Sequence, residues 1–246
     1  MGGGNTKLLK NHYDITELDI SQNYNSDLLN LHKFTKLIKL DCSVNKIKNI
    51  EYFPNSLIEL NCYCNELVNL DNLPNNLSFL ICSANNIENF DYLPESVISL
   101  FCARNKINYL DNLHEGLIIL DCSHNNIMSL NNLPQSLRKL DCTNNYIVNL
   151  NNLPKFLTEL YCCHNNIINL DYLPKHLIIL KCSYNKIKFL NNLPTSVNVI
   201  NCSHNDITCL DNLSDNLITL VCNNNKIINY NNLPNSLCLL YNNNEY

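Results

Sequence analysis

The sequence predicts a β-rich repeat solenoid with little helix, and three observations carry that prediction. A twenty-residue unit is copied without insertion from residue 37 to residue 236, all eight prolines fall at one place in it, and glycine is nearly absent beyond Gly4. Ten units run in strict register, among them LIKLDCSVNKIKNIEYFPNS (37–56), LIELNCYCNELVNLDNLPNN (57–76) and LITLVCNNNKIINYNNLPNS (217–236). A fixed period of this length is the mark of repeat architectures. Residues 1–36 form a leader, an N-terminal cap and an irregular first repeat, and residues 237–246 a partial last one.

Each part of the unit has a physical reading. In L-x-x-L-x-C, alternation with period two marks a short strand whose Leu and Cys point inward, as in Leu60 and Cys62. A single strand cannot bury that side alone. Parallel strands about 4.8 Å apart bury all of them in one continuous core. After the strand comes an Asn column: Asn45, Asn65, Asn85, Asn105, Asn125, Asn145, Asn165, Asn185, Asn205 and Asn225. The chain turns there and leaves backbone donors and acceptors inside the coil. Asn carries both groups and is expected to bond its own turn and the neighbouring one as a ladder. The remaining residues are too few, and too interrupted by Pro, for a full helix, so an extended or polyproline-like return is expected. Pro54, Pro74, Pro94, Pro134, Pro154, Pro174, Pro194 and Pro234 punctuate it, with His114 and Ser214 in their place in two units.

The whole unit, L-x-x-L-x-C-x-x-N-x-I-x-x-L followed by x-N-L-P-x-S, resembles the leucine-rich repeat family over about nine tenths of the chain. Its length and L-P-x-x-L junction are similar to the short class of bacterial effector proteins and, more loosely, to giant-virus and amoebal repeats. The resemblance implies a horseshoe with a parallel sheet on its concave face, and a protein partner bound there.

Composition narrows the function classes. The chain has 246 residues, a formal charge of −5 and only two arginines, Arg104 and Arg138, which argues against nucleic acid as partner. Gly-rich phosphate loops are excluded by four glycines, three of them Gly2, Gly3 and Gly4. MGGGNTKLLK lacks the apolar core of a signal peptide, and no apolar run reaches a membrane span. Ten of the fourteen cysteines (Cys42, Cys62, Cys82, Cys102, Cys122, Cys142, Cys162, Cys182, Cys202 and Cys222) hold one inward position and read as small hydrophobes. A column of free thiols implies a reducing, intracellular, cytoplasmic setting, which for a viral chain means host cytoplasm or virion. Neither a metal nor a cofactor is expected, because in-register thiols cannot converge tetrahedrally. Cys64 and Cys163, outside the column, are the expected reactive thiols.

Candidate binding residues come from the outward strand positions. Phe79, Ile81, Phe101 and Ile119 fall on neighbouring strands as an apolar patch, which marks an interaction site. Tyr161, Ile179, Val199 and Val221 continue the apolar positions toward the C-terminus, where Leu239 and Tyr241 suggest a homodimer through that end. His124, His164 and His204 read as solvated rim residues. No nucleophile, base and oxyanion donor converge, so an enzyme is not expected. Met1 to Thr6 fit M-G-x-x-x-[ST], with Gly2 as a myristoylation acceptor. The expected function is a non-enzymatic scaffold binding a protein through the concave face. The alternatives are a myristoylated, membrane-tethered structural component, or a substrate-recruiting subunit for a separate catalytic partner.

Overall fold

A computed structural model describes residues 13–242 apart from 25, 27–29 and 212. The chain divides into two compact units, the first running to Asn108 with Asn112–Asp121, the second made of Tyr109–Asp111 and the residues from Cys122 on. The first holds strands β1 (Glu17–Asp19), β2 (Lys39–Asp41), β3 (Glu59–Asn61), β4 (Phe79–Ile81), β5 (Ser99–Phe101) and β6 (Ile119–Asp121). The second holds β7 (Lys139–Asp141), β8 (Glu159–Tyr161), β9 (Ile179–Lys181), β10 (Val199–Asn201), β11 (Thr219–Val221) and β12 (Leu239–Tyr241). Within each unit the strands are parallel and one repeat apart in register, so that Leu60 lies opposite Leu80 and Leu180 opposite Ile200. Each unit is thus a parallel β-solenoid. Among the described residues the one helical element is a 3-10 turn, Leu31–Lys33, which Asn30 opens by accepting the His32 N–H at 3.2 Å. No helix of the described residues is long and apolar enough to cross a membrane.

The strands are shorter than the alternating pattern because ladder bonding changes character at both ends. At the front one carbonyl serves two donors: Ile38 O accepts from Ile58 N at 2.8 Å and Glu59 N at 3.0 Å. At the back the cysteine N–H continues outward to the next strand, as from Cys62 N to Ile81 O at 2.8 Å. The core is built from columns of identical positions. Leu57, Leu60, Cys62 and Leu67 are fully buried, as are Leu157, Leu160, Cys162 and Ile167 in the second unit. Stacking identical shapes lets each layer seat against the next, which is how three-residue strands come to support a buried interior.

The asparagine column joins adjacent turns. Asn85 Nδ2 donates to Cys82 O of its own turn and to Cys62 O of the preceding one, both at 3.0 Å, while its Oδ1 accepts the Leu67 N–H at 2.9 Å. Asn65, Asn145, Asn165, Asn185, Asn205 and Asn225 repeat that three-way arrangement. The residue before each Asn is left-handed, with φ between 52° and 56° from Val44 through Cys64, His124 and Tyr184 to Asn224. Such a backbone costs about 1 kcal/mol for a side chain other than Gly. The buried amide bonds on the next residue offset it, so the repeat needs no glycine there.

The return is extended but carries tight turns. Each unit's proline carbonyl accepts the N–H three residues on, for example Leu57 N to Pro54 O at 3.0 Å, delivering the chain to the next strand. Ser56, Ser96, Ser196 and Ser236 then donate to Leu37, Leu77, Leu177 and Leu217 carbonyls of the preceding turn at 2.6–2.7 Å. The second asparagine row is a surface feature. Asn132, Asn152 and Asn192 have φ between 61° and 64°, and Asn112 donates to Asp91 Oδ1 at 2.9 Å. Where Pro becomes His114, the following Ser becomes Gly116, whose N–H donates to His114 Nδ1 at 3.0 Å. A Cβ on Gly116 would lie 3.0 Å from that nitrogen and 3.1 Å from Glu95 O, so the two departures from the repeat are one packing solution.

Candidate partner-binding face

The outward positions of β2–β5 and β8–β11 are held by a backbone fixed on both sides by ladder bonds, so their side chains are presented without a large ordering penalty. In the first unit Phe79 and Phe101 lie with ring centroids 5.5 Å apart and planes tilted by 49°. Ile81 pairs in register with Phe101, and Ser99 with Ile119. All four apolar residues are half-buried by their neighbours, with the remainder open on the sheet face. Lys39 and Glu59, on β2 and β3, form an ion pair at 3.3 Å.

In the second unit the face is organised around Tyr161. Its hydroxyl donates to Glu159 Oε2 at 2.9 Å, and that carboxylate also pairs with Lys139 at 3.0 Å. Lys139 and Lys181 Nζ stand 5.2 and 5.1 Å from the ring centroid, so a cation from each neighbouring strand flanks the ring. The Lys139 hydrogen bond holds the Glu159 carboxyl below its ordinary range, the Glu159 bond raises Lys139, and burial first, then Glu159, raises the Tyr161 phenol. Ile179, Val199 and Val221 are half-buried on the same face. Leu239 and Tyr241 on β12 are 50% and 53% exposed, and the inward Leu240 is 40% exposed where its counterpart Leu220 is at 0%.

One row of surface residues was not singled out by the outward alternation. Ile38, Ile58, Ile98, Ile178 and Ile218, each one position before its strand, are 39–50% exposed. Their signal was the recurring L-I or V-I pair that opens these units. Alternation assigns that position no side, because the strand begins only at the residue after it.

The thiols separate by burial. The ten of the column are buried, and those of Cys62, Cys82, Cys102, Cys122 and Cys142 lie 3.2–3.5 Å from a carbonyl of the next strand. Of the two expected reactive thiols only Cys64 is exposed; Cys163 is half-buried, and burial pushes its thiol up, which corrects its reading as a reactive group. Cys238 is exposed instead. On the rim, His164, Tyr184 and His204 stack in one pile, with centroids 4.1 and 4.0 Å apart, and Asn224 Nδ2 lies 3.0 Å from His204 Nε2. Among the described residues no three His, Cys, Asp or Glu side chains gather in a metal-binding arrangement. Gly2 lies outside the described residues.

Parallel twenty-residue turns with an inward Leu/Cys face and an asparagine ladder define a leucine-rich-repeat protein, of the short kind found in bacterial effectors. The particular likeness is to YopM from Yersinia enterocolitica, 30% identical over 93% of this chain with a TM-score of 0.86. YopM from Yersinia pestis has the same fold at 22% identity over 93% of the chain and 88% of its own, with a TM-score of 0.65. The functional domain of InlJ from Listeria monocytogenes, which includes a cysteine ladder, is 26% identical over 88% of this chain and 60% of its own, with a TM-score of 0.60. This chain spans 51% of the Yersinia enterocolitica YopM chain. No family model and no curated protein matches the sequence.

Proposed function

We propose that this chain is a non-enzymatic protein-binding scaffold whose outward sheet faces hold a partner protein, the first unit's face being the principal contact. The observation that carries the reading is the apolar centre of Phe79, Ile81, Phe101 and Ile119, rigidly mounted on three adjacent strands and bordered by charged residues. An apolar centre within a polar rim is the anatomy of a protein interface, and aromatic side chains are its usual anchors. In the second unit Tyr161, flanked by Lys139 and Lys181, is the corresponding preorganised anchor, with Ile179, Val199 and Val221 on the three strands that follow. The fold neighbours support an interaction role.

The test is affinity capture from cells with the native chain beside Phe79→Ser/Phe101→Asn. Both replacements are side chains the repeat already carries in those columns, at Ser99 and Asn61, so folding is preserved. At least one partner should fall tenfold or more in the variant; an unchanged partner set refutes the reading. A second reading, a homodimer through β12, is favoured by the exposure of Leu239, Leu240 and Tyr241. Light scattering at high concentration decides it, and a strictly monomeric mass dismisses it.

A further inference from the structure

We infer that the face of β1–β6 takes a positively charged protein segment that presents large apolar side chains. The inference rests on the face-binding reading above and adds the chemistry of the partner. The twelve outward positions of these strands carry five carboxylates, Glu17, Asp19, Asp41, Glu59 and Asp121, against one ammonium, Lys39. That single cation is already engaged, its Nζ lying 3.3 Å from Glu59 Oε2. The carboxylates stand where a partner on the patch would meet them: Glu59 is in register with Phe79 on one side, and Asp121 with Phe101 on the other.

Two of these carboxylates are also fixed in direction. Asp19 and Asp41 each accept the backbone N–H two residues on, at 2.9 Å, and Asp41 Oδ2 accepts from Asn61 Nδ2 at 2.8 Å. A preorganised row of one sign raises the local concentration of oppositely charged ligands and repels those of like charge. An acidic partner would have to bury its apolar side chains against this field, and a nucleic acid would meet it with every phosphate. The exposed Ile38, Ile58 and Ile98 widen the apolar area beside the same strands. The outward positions of β7–β12 lack this bias, with Lys139 and Lys181 balancing Asp141 and Glu159. A basic segment therefore belongs to the first unit.

A displayed library of random twelve-residue peptides, panned on the full chain, provides the test. Enriched peptides should carry net positive charge and at least two large apolar residues, and their affinity should fall about tenfold between 50 and 500 mM NaCl. They should be lost on Phe79→Ser/Phe101→Asn. On Asp19→Asn/Asp121→Asn they should bind several-fold more weakly, since two of the five carboxylates are neutralised while the new amide at 19 keeps the oxygen that accepts the Ser21 N–H and Asp41 keeps both of its bonds. Far-UV circular dichroism checks that each variant retains its strands. Neutral or acidic enriched peptides that the aromatic variant loses overturn the charge inference and leave the face reading standing. Peptides that the aromatic variant retains overturn the face reading. No enrichment, or basic peptides bound equally by the Asn variant, overturns the inference as well.

Discussion

Raising the pH should unfold this protein through its cysteine column. Burial pushes the thiols of Cys42, Cys62, Cys82 and Cys102 in the first unit, and of Cys162, Cys182, Cys202 and Cys222 in the second, above the ordinary range, Cys42 to about 12 and Cys222 to about 11. Neighbouring charges raise several of them further, since a thiolate there would face another thiol of the stack. A folded-state value above the unfolded one means that the unfolded chain binds fewer protons in alkali. Stability is therefore intact below the ordinary thiol pKa and falls as the pH rises through the interval up to the folded value. One pH unit past the ordinary value, each such thiol removes about 1.4 kcal/mol. Four in a unit remove roughly 6 kcal/mol, comparable with the roughly 5–15 kcal/mol by which domains are stable at all. Urea midpoints followed by far-UV circular dichroism, with reductant present, should collapse between about pH 9 and pH 10.5. Cys62→Val/Cys82→Val/Cys102→Val should flatten the dependence in the first unit, an apolar branched side chain being already at home at the equivalent Ile20. A midpoint that stays level from pH 8 to 10.5, or an equal slope in the variant, refutes the argument.

Three further outcomes test separate features. Asn85→Ala should lower stability by about 3 kcal/mol, since it strands the buried Leu67 N–H and removes one of the two asparagine donors to each of Cys62 O and Cys82 O. The exposed Asn72, whose amide reaches Glu51 O at 3.4 Å, should cost under about 0.5 kcal/mol when truncated, and denaturant midpoints compare the two. Gly116→Ser should destabilise alone, because its Cβ meets the His114 ring. In a His114→Pro background it should stabilise by about 1 kcal/mol, by restoring the turn and the serine bond of the other repeats; thermal melts of the four-member cycle measure the coupling. Thiol titration of the native chain in Ellman's reagent should give two fast groups, Cys64 and Cys238, with the half-buried Cys163 and Cys209 slower; ten or more fast groups would contradict a buried column.

How much of this was legible in the sequence follows from which features repeat. Period, inward Leu and Cys, the asparagine position and the proline punctuation each recur about ten times, so a weak local preference is multiplied into a clear pattern. The left-handed residue before each Asn was not legible, because that column holds Val44, Cys64, Ala84, Arg104 and His124, which share no chemistry. Its conformation is imposed by the amide bonds of the following residue, a tertiary effect that propensity does not record. The isoleucine row was legible as a pattern but not as a surface, since a position just outside a strand is assigned a side only by the backbone that precedes it. Half-burial of Cys163 was hidden for the opposite reason: it occurs once, and a single residue beside a repeat carries no average.

Function follows the same division, inverted. Whatever repeats in this chain builds the coil, so specificity must reside in what varies between copies at positions that face outward. On β2–β6 those positions read Lys39, Glu59, Phe79, Ser99 and Ile119 in one column and Asp41, Asn61, Ile81, Phe101 and Asp121 in the other, while the inward columns scarcely change. A core demanding uniform layers and a surface free to vary are separated by one residue along the strand. The stack can therefore exchange outward side chains without disturbing its packing, and the clustering of two phenylalanines and two isoleucines on three neighbouring strands is not something the coil requires. The same separation makes an outward substitution a clean probe: Phe79→Ser and Phe101→Asn alter recognition while the Leu, Cys and Asn columns beneath them keep every bond they have.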